Sequence, residues 1–126
     1  MLRVLVVDDD RNTTETMRLL LQAWGHAVAT ATDGAAAVRA AGAFRPDVVL
    51  LDLALGGPMD GYEVARQIRR QGGARPVLVC VSGYGGEDDR RQSRAAGCDH
   101  HLLTPADPDE LRHLLQAVPG GFPPGA

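Results

Sequence analysis

Val48-Val49-Leu50-Leu51-Asp52 is an unbroken apolar run that delivers one carboxylate at its end. Bounded by Arg45-Pro46-Asp47 and Gly56-Gly57-Pro58, which carry turn signals, it reads as a strand buried on both faces. Charge is costly inside a core, so an acid ending such a strand belongs at the rim of the sheet, where strand ends open into a crevice. Aspartate also caps turns, and from this stretch alone the two readings weigh equally. The neighbouring strands decide between them.

Upstream, the β-branched run Leu2 to Val7 stops at Asp8-Asp9-Asp10 and predicts a first strand with acids at its carboxyl end. Met17, Leu20, Leu21 and Trp24 then recur at helical spacing, with Gly25 placed to stop the helix. Ala27 to Ala31 reads as a weak second strand, and Asp33-Gly34 opens an alanine-rich helix through about Ala41. Downstream, Val64, Ala65 and Ile68 share one side of a third helix, which Asp60 is placed to cap and Gly72-Gly73 to end. Pro76 to Val81 is a fourth buried strand leading into Ser82-Gly83-Tyr84-Gly85-Gly86. A charged fourth helix, about Glu87 to Ala96, has little apolar stripe and is expected to be loosely held. His101 to Leu103 forms a short fifth strand before Thr104-Pro105, and Leu111, Leu114, Leu115 and Val118 mark the last helix, closed by Pro119-Gly120-Gly121.

Strands alternating with helices predict an α/β domain, residues 1–118, with a parallel sheet covered on both faces and right-handed crossovers. Residues 119–126 read as a flexible tail. All strand carboxyl ends then share one edge, which gathers Asp8, Asp9, Asp10, Asp52, Ser82 and Thr104. Clustered carboxylates repel and call for a hard cation such as Mg²⁺, with Mn²⁺ an allowed substitute. A carboxylate beside such an ion can act as a nucleophile toward phosphorus, and a hydroxyl such as Ser82 can hydrogen-bond the transferring group.

Composition narrows the function. The chain has 126 residues, enough for one domain, and a formal net charge of -3 with a pI near 5.7. No general basic surface suits nucleic acid or anionic membrane, so protein partners are expected. All 13 basic residues are arginine. Cys80 and Cys98 lack metal-ligand spacing, and reduced, packed thiols in a cytoplasmic protein are the default. No signal peptide or membrane-length apolar stretch is apparent.

The sequence resembles the receiver domains of two-component response regulators over nearly all of residues 2–118. The likeness is carried by Val6-Val7-Asp8-Asp9-Asp10, Pro46 to Asp52, Met59-Asp60-Gly61, Val81-Ser82-Gly83-Tyr84 and Ala96-Gly97-Cys98-Asp99. Ser82 to Gly85 and Asp99 to Leu102 look most like receivers of hybrid sensor kinases. The resemblance implies a flavodoxin-like (βα)5 fold of strand order 2-1-3-4-5. It further implies Asp52 as phosphoacceptor from a histidine kinase or phosphotransfer protein, and Mg²⁺ held by Asp8, Asp9, Asp52 and the Ala54 backbone carbonyl. Ser82 takes the place of the switch hydroxyl, and Tyr84 that of a residue tuning water access. Output is expected through a protein partner at the face of the fourth helix, fifth strand and last helix, from a monomer or weak homodimer with no output domain.

Three departures qualify the likeness. Thr104 stands where the family carries a lysine whose ammonium pairs with the acceptor and then with the phosphoryl group; threonine offers a hydroxyl without charge. Arg11 is a conceivable substitute, though a solvated surface residue is the simpler reading. His101 stands at the usual switch aromatic; it can titrate, but a satisfied, partly buried histidine is the simpler expectation. Gly56-Gly57-Pro58 lengthens the loop after Asp52 by about one residue relative to the common pattern. The alternative is a degenerate receiver acting as a phosphorylation-independent binding or dimerisation module. An aspartyl phosphatase is disfavoured because the usual second acid is replaced by Ala54.

Overall fold

The computed structural model describes residues 1–72, 76–83, 86–104 and 106–118. Its elements are β1 (Arg3–Val7), α1 (Arg11–Ala23), β2 (Ala27–Ala31), α2 (Gly34–Phe44), β3 (Val48–Asp52), α3 (Gly61–Arg70), β4 (Val77–Ser82), α4 (Glu87–Ala96), β5 (His100–Leu103) and α5 (Pro108–Gln116). The five strands form one parallel sheet of order β2-β1-β3-β4-β5. The expected doubly wound topology is therefore present. Tyr84, Pro105, Gly73 and the stretch from Pro119 through the tail lie outside the described residues, so the readings placed on them have no structural counterpart.

The strands' period of two divides the core. Leu5, Val7, Val49, Leu51, Leu78 and Cys80 belong to a cluster that includes Ala37, Ala41, Val64, Ala65 and Ile68, on the side of α2 and α3. Val4, Val6, Val48, Leu50, Val79 and Leu102 join Leu21, Leu111 and Leu115 on the side of α1 and α5. Both faces of β3 are thus covered, which is why its sequence reads as a continuous apolar run rather than an alternating one. Trp24 packs half-buried against the second cluster, with the Arg112 guanidinium 5.4 Å from its ring centroid.

Helix starts follow local chemistry. The carboxylates of Asp10, Asp33, Asp60 and Asp107 each accept a backbone N–H in the first turn of α1, α2, α3 and α5, satisfying donors that no preceding turn can reach. Asp10 is accounted for by this capping. The α2 helix runs three residues past Ala41 to Phe44, through Gly42, which weakens a helix without ending it; Arg45 in the left-handed region ends it.

Helix α4 buries only Ser93 and Ala96, in keeping with its sparse apolar stripe. Its end is nevertheless anchored. Gly97, at φ +109°, caps the helix, and Asp99 accepts from Leu78 N at 2.9 Å while pairing with Arg69 Nη2 at 2.6 Å. Arg69 also donates to the Gly97 and Pro76 carbonyls. The Ala96-Gly97-Cys98-Asp99 motif is therefore a joint tying α3, β4 and α4 together.

The expectation of two free thiols is corrected: Cys80 and Cys98 are joined as a disulfide. Cys80 lies in β4, and Cys98 follows the α4 cap and donates its N–H to the Ser93 carbonyl. This fold brings their Cα atoms to 6.1 Å, within the span a disulfide bridges. Sequence spacing carried no sign of that approach.

His26, also silent in the sequence, is buried and accepts the Leu2 N–H on Nδ1 at 3.1 Å. Burial, aided by the nearby amino terminus, holds its pKa below the ordinary 6.5. The unfolded chain then binds the proton more readily than the folded one, so the associated stability is complete above about pH 6.5 and is lost as pH falls through the folded value. Denaturation midpoints followed from pH 7 downward are expected to fall less steeply for His26→Gln than for the unaltered chain.

Candidate functional site

β1 and β3 are adjacent and in register, Val7 opposite Leu51, so the residues that follow them, Asp8 and Asp52, emerge side by side. By strand alternation Asp8 continues the face of Val4 and Val6, and Asp52 that of Val48 and Leu50, the side covered by α1 and α5. Ligand oxygens of Asp8, Asp9 and Asp52 all lie within 4.8 Å of one another. The rim reading of Asp52 therefore prevails, although its side chain also makes a local turn contact: Asp52 Oδ1 accepts the Ala54 N–H at 2.9 Å.

The loops around the acids hold them by backbone donors. Asp8 Oδ1 accepts Asp10 N–H at 2.9 Å, and Asp9 Oδ2 accepts Gly56 N–H at 3.4 Å. The lengthened loop after β3 thus reaches back to the acidic turn, a contact its Gly-Gly-Pro composition did not reveal. Gly61 sits against the β3 exit so closely that an added Cβ would lie 2.5 Å from Leu53 Cα and 2.6 Å from the Asp52 carbonyl oxygen.

Burial raises the Asp52 carboxyl above its ordinary value; the Ala54 N–H opposes the shift, and the charge of Asp9 adds to it. Asp8 is likewise raised by burial, lowered by the Asp10 N–H, and raised again by Asp52, Asp9 and Asp10. Each group holds its proton more firmly folded than unfolded, so its contribution to stability declines as pH rises through the carboxylate range. Among the described residues none of the three carboxylates has an ion-pair partner. Three oxygen ligands of this kind fit a hard divalent cation such as Mg²⁺, which would remove the repulsion.

Ser82 and His101 occupy the other side of the sheet edge. Ser82 shares the alternation of Leu78 and Cys80, and His101 lies opposite Cys80 in the register. Ser82 Oγ is 2.7 Å from His101 Nε2, and His101 Nδ1 is 3.3 Å from Ser93 Oγ in α4. His101 is thus half-buried and hydrogen-bonded, bridging β4 to α4. Thr104 continues the ladder through its N–H to the Ser82 carbonyl at 2.8 Å, but its side chain is exposed. It lines, with Asp8 and Asp52, a cavity of about 290 Å³. Arg11 is exposed; no hydrogen bond or ion pair joins it to the acids among the described residues.

The site residues therefore fall into two groups, Asp8 and Asp52 with Thr104 on the α1 and α5 side and the Ser82–His101 pair on the α4 side. Comparison with known proteins gives this arrangement a context. The sequence profile of the response regulator receiver domain matches residues 4–116. The response regulator MprA of Mycolicibacterium vanbaalenii is 37% identical over 116 residues, covering 92% of this chain and 49% of that protein; its Mycobacterium avium counterpart is 36% identical and is covered over 50% of its length. This chain thus spans about half the length of the curated relatives it matches. Among solved structures, the chemotaxis protein CheY4 of Vibrio cholerae superposes with a TM-score of 0.83 at 29% identity, over 94% of this chain and 98% of that one. A LuxR-family response regulator from Aurantimonas sp. SI85-9A1 gives 0.83 at 31% identity, over 94% and 84%. With the strand order, the acidic triad and these matches in agreement, the chain belongs to the response regulator receiver domain family.

Proposed function

We propose that this receiver accepts a phosphoryl group on Asp52 from a histidine kinase or phosphotransfer protein in a Mg²⁺-dependent reaction. The observation that carries the reading is the convergence of Asp8, Asp9 and Asp52 within 4.8 Å at the carboxyl ends of adjacent strands. Asp52 Oδ1 is engaged by the Ala54 N–H, which leaves Oδ2 to attack phosphorus. The new bond is Asp52 Oδ2 to phosphorus, and the bond to the donor's imidazole nitrogen breaks with its electron pair remaining on that nitrogen. Mg²⁺ on Asp8, Asp9, Asp52 and the Ala54 carbonyl would neutralise charge on the transferring group.

The phosphorylated state gives Ser82 Oγ an anionic acceptor to take in place of its contact with His101 Nε2. Ser82 exchanging partners would release the bridge from His101 to Ser93 and bias α4, whose own apolar anchoring is slight. Output follows through a protein partner at the face of α4, β5 and α5. The curated relatives are about twice as long as this chain, and the output proposed here concerns the receiver alone.

Incubation with acetyl phosphate and Mg²⁺ is expected to add one phosphoryl mass, and beryllofluoride to shift amide resonances around Asp52, Ser82 and α4. Asp52→Ala is expected to abolish both. A chain that gains no mass and shows no shift overturns the proposal and favours the second reading, a phosphorylation-independent binding module, to which the uncharged, exposed Thr104 gives specific support.

A further inference from the structure

Cys80 and Cys98 take no part in the chemistry of the acidic rim, yet their bond encloses the elements through which the receiver would switch. The two residues are 18 apart in sequence, and the loop they close contains Ser82 and the whole of α4. Cys80 is held within β4, between Leu51 of β3 and His101 of β5 in the register, and a strand paired on both sides cannot yield. Cys98 follows the cap of α4, which buries only Ser93 and Ala96 and so can yield. A line of contacts joins this end of α4 to Ser82. The Cys98 N–H donates to the Ser93 carbonyl at 2.9 Å, Ser93 Oγ lies 3.3 Å from His101 Nδ1, and His101 Nε2 lies 2.7 Å from Ser82 Oγ.

We propose that the Cys80–Cys98 pair is a redox latch on α4. Oxidised, it clamps the end of α4 to β4 and keeps the Ser93–His101–Ser82 bridge closed; reduced, it frees the helix. Both residues are buried, so two unbonded sulfurs, which need more separation than a bonded pair, must find room by displacement. That displacement falls on α4, the weaker side. The joint survives the change because Arg69 holds it independently, through the Gly97 and Pro76 carbonyls and the Asp99 carboxylate. Reduction therefore loosens a helix rather than unfolding a domain. The reductant is a low-molecular-weight dithiol. Its thiolate attacks Cys98 Sγ, reached by local opening of α4 and the more accessible of the two at 5% exposure against 0%. The Cys80–Cys98 bond breaks with its electron pair on Cys80 Sγ, which takes up a proton. The second thiolate of the reductant then closes on the mixed disulfide and releases Cys98 as a thiol, so two electrons and two protons pass to the protein. A low-molecular-weight disulfide reverses the exchange.

The latch stands on the fold alone, and only its effect on phosphorylation rests on Asp52 being the phosphoacceptor. The first test uses the intact chain with no phosphodonor. Iodoacetamide added under denaturing conditions is expected to leave a sample equilibrated with oxidised glutathione unmodified, and to label both cysteines after dithiothreitol. Reduction is expected to speed amide hydrogen exchange in α4 by about tenfold or more. It is also expected to move the amide resonances of Ser93, His101 and Ser82 while those of β1 and β2 stay in place. Cys98→Ser, close to the thiol in size, is expected to show the reduced pattern with or without dithiothreitol, and Cys80→Ser serves the same purpose if that variant does not fold. Labelling of both cysteines after oxidised glutathione, or an α4 unaffected by reduction, overturns the proposal. So does a change spread equally over β1 and β2, which is the mark of a general staple. The second test adds beryllofluoride and Mg²⁺, and the shifts in α4 are expected to be several-fold larger in the reduced chain. No response in either redox state refutes the phosphoacceptor reading while leaving the latch standing, and an equal response in both overturns the latch's hold on the switch.

Discussion

Replacing Thr104 by lysine is expected to raise the rate of Asp52 phosphorylation by acetyl phosphate by about 10- to 100-fold. One preorganised donor aimed at charge that develops during reaction contributes roughly 10²- to 10³-fold where its removal has been measured in enzymes, and the exposed rim of this site warrants a smaller figure. Thr104 stands at the carboxyl end of β5 with its N–H tied to Ser82, and its side chain borders the cavity that reaches Asp52 and Asp8. A lysine stem at this position would extend along that space, whose volume is about 290 Å³. Its ammonium would also reverse the upward push that burial and Asp9 exert on the Asp52 carboxyl. Labelling time courses at fixed Mg²⁺, with Asp52→Ala in the Thr104→Lys background as the blank, give the comparison. An unchanged rate would show that the acids and Ser82 already suffice and that the native site is not limited by its missing cation.

Gly61→Ala is expected to destabilise the fold by about 3 kcal/mol, at the upper end of the usual overpacking range, and to lower phosphorylation at least about tenfold in the molecules that remain folded. The added methyl would press on Leu53 Cα and the Asp52 carbonyl oxygen, at 2.5 and 2.6 Å, and backbone cannot rotate aside as a side chain does. Relief must come from moving the start of α3 or the Asp52–Ala54 turn, which displaces Asp52 itself. Set against a typical total of 5–15 kcal/mol, roughly, the loss is readily seen by denaturant titration. Gly83→Ala, whose Cβ meets nothing within 4 Å, is the matched control and is expected to change stability by less than about 0.5 kcal/mol. A similar, small effect at both glycines would show that the α3 start yields easily and that the contact does not constrain Asp52.

Much of this was legible from composition and period. The run Val48 to Leu51 names a strand covered on both faces because its apolar residues do not alternate, and the covering clusters are those predicted for a parallel sheet. The acids at its end and at the end of β1 must share an edge once all strands run one way, so the Asp8, Asp9 and Asp52 group followed from order alone. Asp60 as a cap and Gly25 as a stop rest on local chemistry and hold in the structure. Less was legible where contacts join distant segments. The Cys80–Cys98 bond, the Gly56 N–H on Asp9 and the Leu2 N–H on His26 each depend on crossovers returning to particular neighbours, and no spacing rule encodes such returns.

The sequence by itself determined the parallel α/β architecture, the strand that carries Asp52 and the absence of a lysine, because apolar periodicity and residue identity are local properties. Only the tertiary structure decided how the edge is partitioned. Strand alternation and register send Asp8, Asp52 and Thr104 toward α1 and α5, around a cavity that reaches the Asp52 carboxylate. They send Ser82 and His101 toward α4, into a hydrogen-bonded bridge to Ser93. A one-residue change of register would exchange these faces, so the division between an acidic chemical site and a hydroxyl-imidazole bridge belongs to the packed sheet rather than to any stretch within it.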